Sequence, residues 1–431
     1  MPARITRRSY LRVLGATVTA GATSAFMLGS GAPAAASTDF RQQASAFVPA
    51  PARAAAAQEP TPTTPAPTTD AAPATSAPPA SDAAPASPAP AADAVPPAAA
   101  PVPVRPNVWA ATATNDIPPQ VADLPPRVYV PHEIGGDVAV IDPLTMQIID
   151  RFAVGRTPHH VAPSHDLTQL YVNVMDSNYL MVIDPRTGRP TGTLPAAVPY
   201  NLYFTPDGTM AIVAAERFNR LDFHDARTWD VIARVPIPGS GVDHMDFSAD
   251  GSYLLVSCEF GGQVVKVGTN PPAVLGVYRG GRLPIDVKLN PDGTHFFVAD
   301  QGRHGVIIIE PDSMTEVGFL PTGRGAHGMA ISRDTRALYV TNRLAGTLSV
   351  IDFAAWGIAK TWNIGLSPDM VQVSPDGQHI WTSARNHGTV MVIDSNNGGV
   401  IARIPTGAAP HGLTYFPQPG RFSIGHNGVY R

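Results

Sequence analysis

The chain has 431 residues, of which 44% are hydrophobic and 15% charged, and its formal net charge at pH 7 is −4. Because the basic residues form no run, this balance gives no support to nucleic-acid binding or to attachment to an anionic surface, and we expect no nucleic-acid partner. The single cysteine, Cys258, excludes an intramolecular disulfide bond. A stable fold must therefore rest on packing and on closure of the chain.

Residues 1–36 have the features of an export signal. The pair Arg7 and Arg8 is followed by a moderately apolar stretch over 13–30 and by three alanines that end at Ala36. This pattern resembles a twin-arginine signal peptide that is cleaved after Ala36. The apolar stretch is too short and too rich in small residues for a transmembrane anchor. We therefore expect a protein exported by the twin-arginine pathway, and then secreted, periplasmic or associated with the cell wall.

Residues 37–125 form a predicted disordered linker that is rich in proline and alanine. Large apolar side chains are scarce from Ala44 to Pro125. Such a segment cannot bury enough apolar surface to offset its chain entropy, and its prolines favour extended geometry. One interpretation is a semi-rigid spacer that holds the following domain away from a cell wall and accepts sugars on Ser and Thr. The other is a disordered segment with no function of its own.

One pattern recurs seven times over residues 126–420. Each copy combines apolar strands with a turn related to Pro-Asp-Gly, and the central position of that turn returns at intervals of 41 to 43 residues. These positions are Asp166, Asp207, Asp250, Asp292, Asp334, Asp376 and Gln418. A period of about 40 to 45 residues with four strands in each unit is typical of a β-propeller.

The repeat over 368–405 shows how one unit becomes a blade. A strand of alternating apolar residues begins at Pro368, a turn follows over 375–377, and three further apolar strands alternate with turns. Strands of this length join as antiparallel hairpins, and a sheet with two apolar faces needs neighbours on both sides. The predicted fold class is therefore all-β: a seven-bladed β-propeller with four antiparallel strands per blade.

The ends of the repeat region predict how the ring closes. The first repeat starts at its second strand, over 127–130, whereas the last innermost strand, over 411–416, has no blade of its own. We therefore expect the N-terminal strands to pair with this C-terminal strand, which removes open sheet edges. The tail over 421–431 is then left as an extra strand or a cap.

Parts of the sixth and seventh units are similar to a known repeat. These parts are Leu338-Tyr339-Val340-Thr341-Asn342, residues 346–352 and Ser374-Pro375-Asp376-Gly377. They resemble the YVTN repeat family of seven-bladed β-propellers, which includes cytochrome d1-like and surface-layer types. The resemblance implies the fold and no single activity, because related propellers include surface proteins, DNA binders, metal-binding proteins, haem d1-type reductases, lyases and lactonases.

The start of each innermost strand supplies the candidate metal ligands, because in a propeller this position faces the central axis. The metal ligands that we predict are His159, His327, Asp369 and His411, with His160, Asp243, His244 and His426 as further candidates. Imidazole and carboxylate groups that converge on one point suit a transition metal such as copper, zinc or iron. The alternative is that these histidines are turn residues that bond to backbone and water.

A second ring of polar residues lies where the second strands end. We assign ligand binding to Arg343, Arg385, Glu216, Glu259 and His132, together with Tyr200 of the first ring. Their mixed charges suit a polar or zwitterionic small molecule, and two arginines on neighbouring blades suit a carboxylate or phosphate. The alternative is a ring of surface ion pairs. We expect the tail to fold over this mouth and to contribute His426.

Two functions remain open from the sequence. The first is a monomeric, exported propeller that binds a small ligand or a metal ion at its axial mouth, with metal-dependent redox or lyase chemistry as one form of that function. The second is a non-enzymatic cell-surface module that recognises a cell-wall component. Motifs for phosphate-binding loops, serine hydrolysis and covalent haem attachment are absent from the sequence. The sequence therefore names no catalytic residue and no substrate.

Overall fold

Each repeat folds into one four-stranded antiparallel sheet. The structure, a computed structural model, describes residues 106–113 and 116–431, and these residues contain seven such sheets. The innermost strands of neighbouring sheets contact one another, and the last contacts the first, so the sheets are the blades of a closed ring. The predicted seven-bladed β-propeller is confirmed.

The strands fall into four concentric sets. The innermost strands are β4 (Pro158–Pro163), β8 (Pro199–Phe204), β12 (Val242–Phe247), β16 (Pro284–Leu289), β20 (Ala326–Ile331), β24 (Pro368–Val373) and β28 (Thr414–Phe416). The second strands are β1 (Arg127–His132), β5 (Leu170–Val174), β9 (Met210–Ala215), β13 (Tyr253–Cys258), β17 (Phe296–Asp300), β21 (Ala337–Asn342) and β25 (His379–Ala384). The third strands are β2 (Asp137–Asp142), β6 (Tyr179–Asp184), β10 (Arg220–Asp225), β14 (Gln263–Thr269), β18 (Gly305–Glu310), β22 (Thr347–Asp352) and β26 (Thr389–Asp394). The outer strands are β3 (Gln147–Ala153), β7 (Arg189–Pro195), β11 (Val231–Pro236), β15 (Pro272–Tyr278), β19 (Thr315–Leu320), β23 (Gly357–Asn363) and β27 (Val400–Pro405).

Helix is limited, in the part of the chain that the structure describes, to four short 3-10 turns. These turns are Ala110–Thr112, Met175–Ser177, Glu216–Phe218 and Arg385–His387. Across 106–113 and 116–431, no helix combines the length and the apolar character that crossing a membrane requires.

The ring closes where the two ends of the repeat region meet. β28 pairs antiparallel with β1, so that Tyr415 lies opposite Val128 and Thr414 opposite Tyr129. The strand is shorter than the predicted 411–416, because the chain before it turns toward the axis: the amide of Gly412 donates to the carbonyl of His159 at 3.0 Å. The predicted pairing of N-terminal strands with a C-terminal strand is confirmed.

The apolar core lies between the blades rather than inside any one of them. The inner three strands of each blade are largely buried, whereas the outer strands are mostly exposed. Tyr203, Phe223 and Phe247, for example, are fully buried in one apolar cluster that two neighbouring blades share. Each blade thus depends on both neighbours to remove its two apolar faces from water.

The segment before the first blade differs from the expectation of a disordered linker. Residues 106–113 and 116–125 pack against the propeller, with Trp109, Val121 and Leu124 buried. The indole nitrogen of Trp109 donates to the carbonyl of Leu289, at the end of β16, at 2.9 Å. These apolar side chains supply the burial that holds the segment against the propeller. The predicted signal peptide over 1–36 and the linker over 37–105 lie outside the described residues.

Candidate functional site

A recurrent irregularity at the start of the innermost strands shapes the axial site. In β4, β8, β12, β16, β20 and β24, the pairing with the second strand shifts register within the first few residues. Such a bulge interrupts the strict alternation of side chains and re-aims them. Both members of a successive pair can then meet at the axis: His159 contacts Tyr200 at a ring-centroid distance of 4.7 Å, and His160 contacts His244 at 5.0 Å.

Three imidazoles form a compact cluster on the axis. His160 of β4, His244 of β12 and His426 of the tail each offer one nitrogen, and these three nitrogens lie within 4.8 Å of one another. All three side chains are buried. The predicted ligands of the first ring are therefore not the ones that meet this geometry. Two members of the cluster, His160 and His244, each directly follow a first-ring residue on an innermost strand, and both are among the further candidate ligands.

The hydrogen bonding of the three rings leaves nitrogens without a partner. Nδ1 of His160 lies 2.8 Å from Oδ1 of Asn427, so this nitrogen carries the proton and Nε2 keeps its lone pair. That Nε2 and both ring nitrogens of His244 have no hydrogen-bond partner. His426 has neighbours on both sides: Nδ1 lies 2.8 Å from Nδ2 of Asn201, and Nε2 lies 3.7 Å from Oδ1 of Asp286. Buried polar groups are normally satisfied, so the free nitrogens of His160 and His244 need an explanation.

The tail reaches the axis from the end of the channel opposite the mouth, whereas the expectation was that it folds over the mouth. Its backbone pairs with the last residues of β8, where the amide of Phe204 donates to Ile424 and the amide of His426 donates to Leu202. The C-terminal residue Arg431 forms a buried ion pair with Asp246 at 2.5 Å. The tail is therefore a plug at the closed end of the channel and not a cover over the mouth, although it does bring His426 to the axis as expected.

The principal ligands of the prediction form a separate hydrogen-bonded group nearer the mouth. Asp369 lies 2.9 Å from Nδ1 of His411 and 3.3 Å from Nε2 of His327, and Nε of Arg343 is 3.4 Å away. Burial acts to raise the pKa of Asp369, but the opposed charge of Arg343 and the bond to His411 hold it well below its usual value. His159 touches His411 at a ring-centroid distance of 5.1 Å. The structure thus brings all four predicted residues together around a carboxylate whose Oδ2 is bonded to His411, whereas its Oδ1 is buried without a hydrogen bond.

Burial lowers the pKa of every histidine on the axis. The pKa of His159 and of His327 falls to about 4, because desolvation disfavours the charged ring. The same cause holds the pKa of the remaining four well below the ordinary value: His160, His244, His411 and His426. These rings are neutral at pH 7, and a neutral imidazole is the form that binds a metal.

The mouth has charged residues of both signs, as the second ring predicts. Arg385 forms an ion pair with Glu133 across the junction of the last and first blades. Burial acts to raise the pKa of Glu133, but Arg385 opposite it holds that pKa below its usual value. Arg343 lies against Asp369, so each of the two predicted arginines faces a carboxylate.

Three carboxyl groups lie on the side of the mouth opposite the two arginines. Burial, and then repulsion from Glu259, raises the pKa of Glu216 to about 7. Burial also raises the pKa of Glu259, and burial with repulsion from both glutamates raises that of Asp243 well above its usual value. Both carboxyl oxygens of Asp243 are buried without a hydrogen-bond partner. Asp243 therefore belongs with these carboxyls and not with the three-imidazole cluster.

Two residues differ from what the sequence predicts: one predicted residue lies apart from the axial histidines, and one residue that was not predicted lies beside them. His132 is buried against Asp137 of the adjacent strand, with Nδ1 2.6 Å from Oδ1, and in the described part of the chain no ring contact joins it to the axial histidines. Lys288, which the sequence reasoning missed, forms a buried ion pair with Asp286 at 2.7 Å beside the cluster. Its only sequence signal is its position two residues after Asp286 on β16, which places both side chains on one face of the strand.

Comparisons with known proteins agree with this architecture. A family model described as YNCE-like β-propeller matches residues 97–419. The chain has no significant match among curated proteins. Among solved structures, it is similar to hydrazine synthase of Kuenenia stuttgartiensis, with a TM-score of 0.56 and 20% identity, over 64% of this chain and 97% of that one.

Two further solved structures are similar. A functionally unknown protein from Desulfotomaculum acetoxidans has a TM-score of 0.60 and 17% identity, over 68% of this chain and 99% of that one. Dihydro-haem d1 dehydrogenase NirN, in complex with DHE, has a TM-score of 0.52 and 19% identity, over 66% of this chain and 65% of that one. At such identities the similarity shows a shared fold and nothing about chemistry.

Proposed function

The chain belongs to the YNCE-like β-propeller family, and from this premise we propose that it is an exported propeller that binds a transition metal on its axis through His160, His244 and His426. The observation that carries the proposal is the approach of three buried imidazole nitrogens to within 4.8 Å of one another. The three residues come from distant parts of the sequence, so only the closed ring and the inserted tail bring them together.

The chemistry of the cluster supports a metal of the zinc, copper and iron group. Imidazole suits these metals, and three histidines leave a coordination position open for water or a small ligand. Asn427 supports this role, since its amide oxygen accepts from Nδ1 of His160 and orients Nε2 toward the other rings. A metal would also account for the buried nitrogens of His160 and His244 that have no partner.

The mouth above the cluster supports access by a small polar molecule. Cationic side chains lie on one side, at Arg343 and Arg385, and carboxyls on the other, at Glu216 and Glu259. A ligand with groups of both charges would find a partner on each side. A metal held by His160, His244 and His426 would supply an open coordination position, and metal-dependent redox or lyase chemistry is the class of reaction that such a position would allow.

Metal analysis tests the proposal directly. The full-length protein is purified after export, and its metal content is measured by mass spectrometry together with competition titrations using zinc, copper and iron. We expect about one equivalent of metal, and a loss of affinity of at least about 10- to 100-fold in His160→Ala and His244→Ala, because each removes a ligand. The matched control is His379→Ala, at the start of β25 and away from the axis.

Loss of metal binding in a variant is distinguished from misfolding of that variant by two measurements. Circular dichroism and thermal unfolding establish that each variant retains the propeller before its metal content is compared. A native protein with no stoichiometric metal, or axial variants that bind metal as the control does, would contradict the proposal.

The N-terminal motif supports the proposal that the protein is exported. The paired arginines Arg7 and Arg8 support twin-arginine transport, a route that carries folded proteins and so allows the metal to bind before export. We expect Arg7→Lys combined with Arg8→Lys to leave the protein in the cytoplasm, whereas a substitution in the linker such as Thr63→Ala has no effect. Cell fractionation and immunoblotting measure this, and normal export of the double variant would refute the assignment.

A further inference from the structure

Three buried side chains near the mouth form a continuous hydrogen-bonded chain. Asp369 of β24 lies 2.9 Å, through Oδ2, from Nδ1 of His411, and Nε2 of His411 lies 3.3 Å from the phenol oxygen of Tyr200 on β8. Tyr200 is 7% exposed, whereas His411 and Asp369 are 1% and 0% exposed. All three side chains are therefore buried, and Tyr200 is the most exposed of them.

The contacts fix the direction of the hydrogen bonds. Arg343 lies 3.4 Å from Oδ1 of Asp369, and this charge keeps the carboxylate ionised, so the carboxylate can only accept. Nδ1 of His411 is then the donor to Asp369, and Nε2 of His411 is the acceptor from the phenol of Tyr200. The phenol oxygen is left with lone pairs for a further group. This is the order of acceptor, oriented imidazole and hydroxyl that activates a hydroxyl in acid–base catalysis.

The free end of the chain lies against the three-imidazole cluster. The Tyr200 ring contacts His160 and His244 at centroid distances of 5.3 and 5.5 Å. His159 contacts the Tyr200 ring at 4.7 Å, and both of its nitrogens are buried without a hydrogen-bond partner. Unsatisfied polar atoms that surround one hydroxyl are an independent sign that a polar molecule binds there.

We propose that Tyr200, His411 and Asp369 form a proton relay that deprotonates a water or alcohol bound beside Tyr200, so that the site catalyses addition of an oxygen nucleophile to a carbonyl carbon. The proposal rests on the proposed function. Tyr200 is the catalytic residue, His411 receives its proton, and Asp369 is a positioning residue.

The proton transfers balance without an external reactant. The O–H bond of the bound water or alcohol breaks and its proton passes to the phenol oxygen of Tyr200, while the original phenol proton passes to Nε2 of His411. The imidazolium is held by the carboxylate of Asp369. The electron pair of the broken O–H bond forms the bond to the carbonyl carbon, and the π pair of the C=O bond moves onto the carbonyl oxygen. When that pair re-forms the C=O bond, the bond between the carbon and the leaving group breaks, and the leaving group takes the proton back from His411 through Tyr200. No group is oxidised or reduced.

Hydrolysis of 4-nitrophenyl acetate by the metal-loaded, full-length protein tests the relay. We expect Tyr200→Phe to lower kcat by about 100-fold, the usual contribution of a general base, with KM and metal content unchanged. His411→Asn is expected to lower kcat similarly, and Asp369→Asn to lower kcat without raising KM. The matched control is Tyr171→Phe on the second strand β5, which removes a phenol that donates to Gln169 at 2.6 Å.

Metal content measured on the same samples separates the two proposals. Absence of metal overturns the proposed function, and the effect of Tyr200→Phe on whatever hydrolysis occurs still decides the relay. Bound metal with a kcat in Tyr200→Phe equal to that of the Tyr171→Phe control overturns the relay alone. A metal-loaded native protein that fails to hydrolyse the ester above the rate of free metal also overturns it. Thermal unfolding of Tyr200→Phe, which keeps the ring and loses one hydroxyl, verifies that the variant folds.

Discussion

At the scale of single residues, one glycine decides whether the tail can approach the axis. A Cβ at Gly412 would lie 2.6 Å from Oδ1 of Asn427 and would also collide with Nδ1 of His160. These two atoms form the hydrogen bond that orients His160. Glycine is therefore needed here for close approach of two segments and not for an unusual backbone angle.

We expect Gly412→Ala to weaken metal binding while the propeller remains folded. The added methyl separates Asn427 from His160, and loss of an orienting hydrogen bond typically reduces metal affinity about 10- to 100-fold. The measurement is a competition titration with zinc. Gly192→Ala is the control, because a Cβ at Gly192 meets nothing within 4 Å; equal affinity of the two variants would contradict the prediction.

A second prediction at this scale concerns Glu310 at the end of β18. The hydroxyl of Ser313 donates to its carboxylate at 2.6 Å, and the amides of Ser313 and Asp312 donate at 2.7 and 2.9 Å. These bonds lower the pKa of Glu310 to about 2. A pKa depressed in the folded state gives stability that is present above the unfolded pKa and is lost as the pH falls through about 2.

Ser313→Ala is expected to raise the pKa of Glu310, because the largest contribution to its low value is the bond from the Ser313 hydroxyl. Carboxyl titration by nuclear magnetic resonance measures this shift. Ser395→Ala, which removes a hydroxyl that donates to the carbonyl of Gly377 and not to Glu310, serves as control. An unchanged titration of Glu310 in Ser313→Ala would refute the explanation.

At the scale of elements, the repeated turn after six of the seven innermost strands is stabilised by its own aspartate. In the fourth unit, Asp250 accepts from the hydroxyls of Ser248 and Ser252 at 2.7 and 2.8 Å and from the amide of Ser252 at 3.0 Å. Partial burial acts to raise the pKa of Asp250, but these bonds hold it below its usual value. Similar bonds recur in other units, which explains why the sequence repeats an aspartate at this point.

We expect Asp250→Ala to lower the free energy of unfolding by about 1 kcal/mol, the typical net value of a lost hydrogen bond. Because the folded pKa is depressed, the difference from the native protein should be full at neutral pH and should narrow as the pH falls through that pKa. Urea unfolding at several pH values measures this. The exposed Asp312, 3.7 Å from Lys266, provides the control Asp312→Ala. A difference that grows toward acid pH would contradict the argument.

At the scale of the whole molecule, the two ends of the described chain seal one end of the axial channel. The tail supplies His426, and the guanidinium of Arg431 lies over the ring of Trp109 at 5.0 Å as well as against Asp246. The blades thus surround the axis, and Trp109 and residues 421–431 block one end of the channel. One proposed metal ligand and the plug belong to the same eleven-residue segment, 421–431.

Removal of residues 421–431 is expected to abolish metal binding and to destabilise the fold, whereas His426→Ala abolishes metal binding alone. The truncation leaves Asp246 as a buried charge without its arginine, a change that typically costs about 3–5 kcal/mol. Thermal unfolding of both proteins in the absence of metal separates the two effects. Metal binding by the truncated protein would refute the role of the tail in the metal site, and equal stability of the truncated protein and the native one would refute its role in the fold.

Much of this organisation was predictable from sequence. The period of about 42 residues specifies the blades, and the missing first strand specifies the closure. The set of polar residues near the axis was also predictable, because the inner strand starts converge in any propeller. The way in which these residues divide into separate groups was not predictable. Whether His159 or His160 lies in the three-imidazole cluster depends on a bulge, and a bulge shifts one residue without changing the pattern of apolar positions.

The sequence by itself determined the number of blades, their strand order and the set of polar residues near the axis, since these follow from local periodicity and turn chemistry. Only the tertiary structure decided that His160, His244 and His426 form one cluster, that Tyr200 meets His411, and that the tail enters from the closed end. These contacts join positions more than 80 residues apart, as from His160 to His244. Their distances depend on how seven separate sheets pack around one axis, which no local pattern encodes.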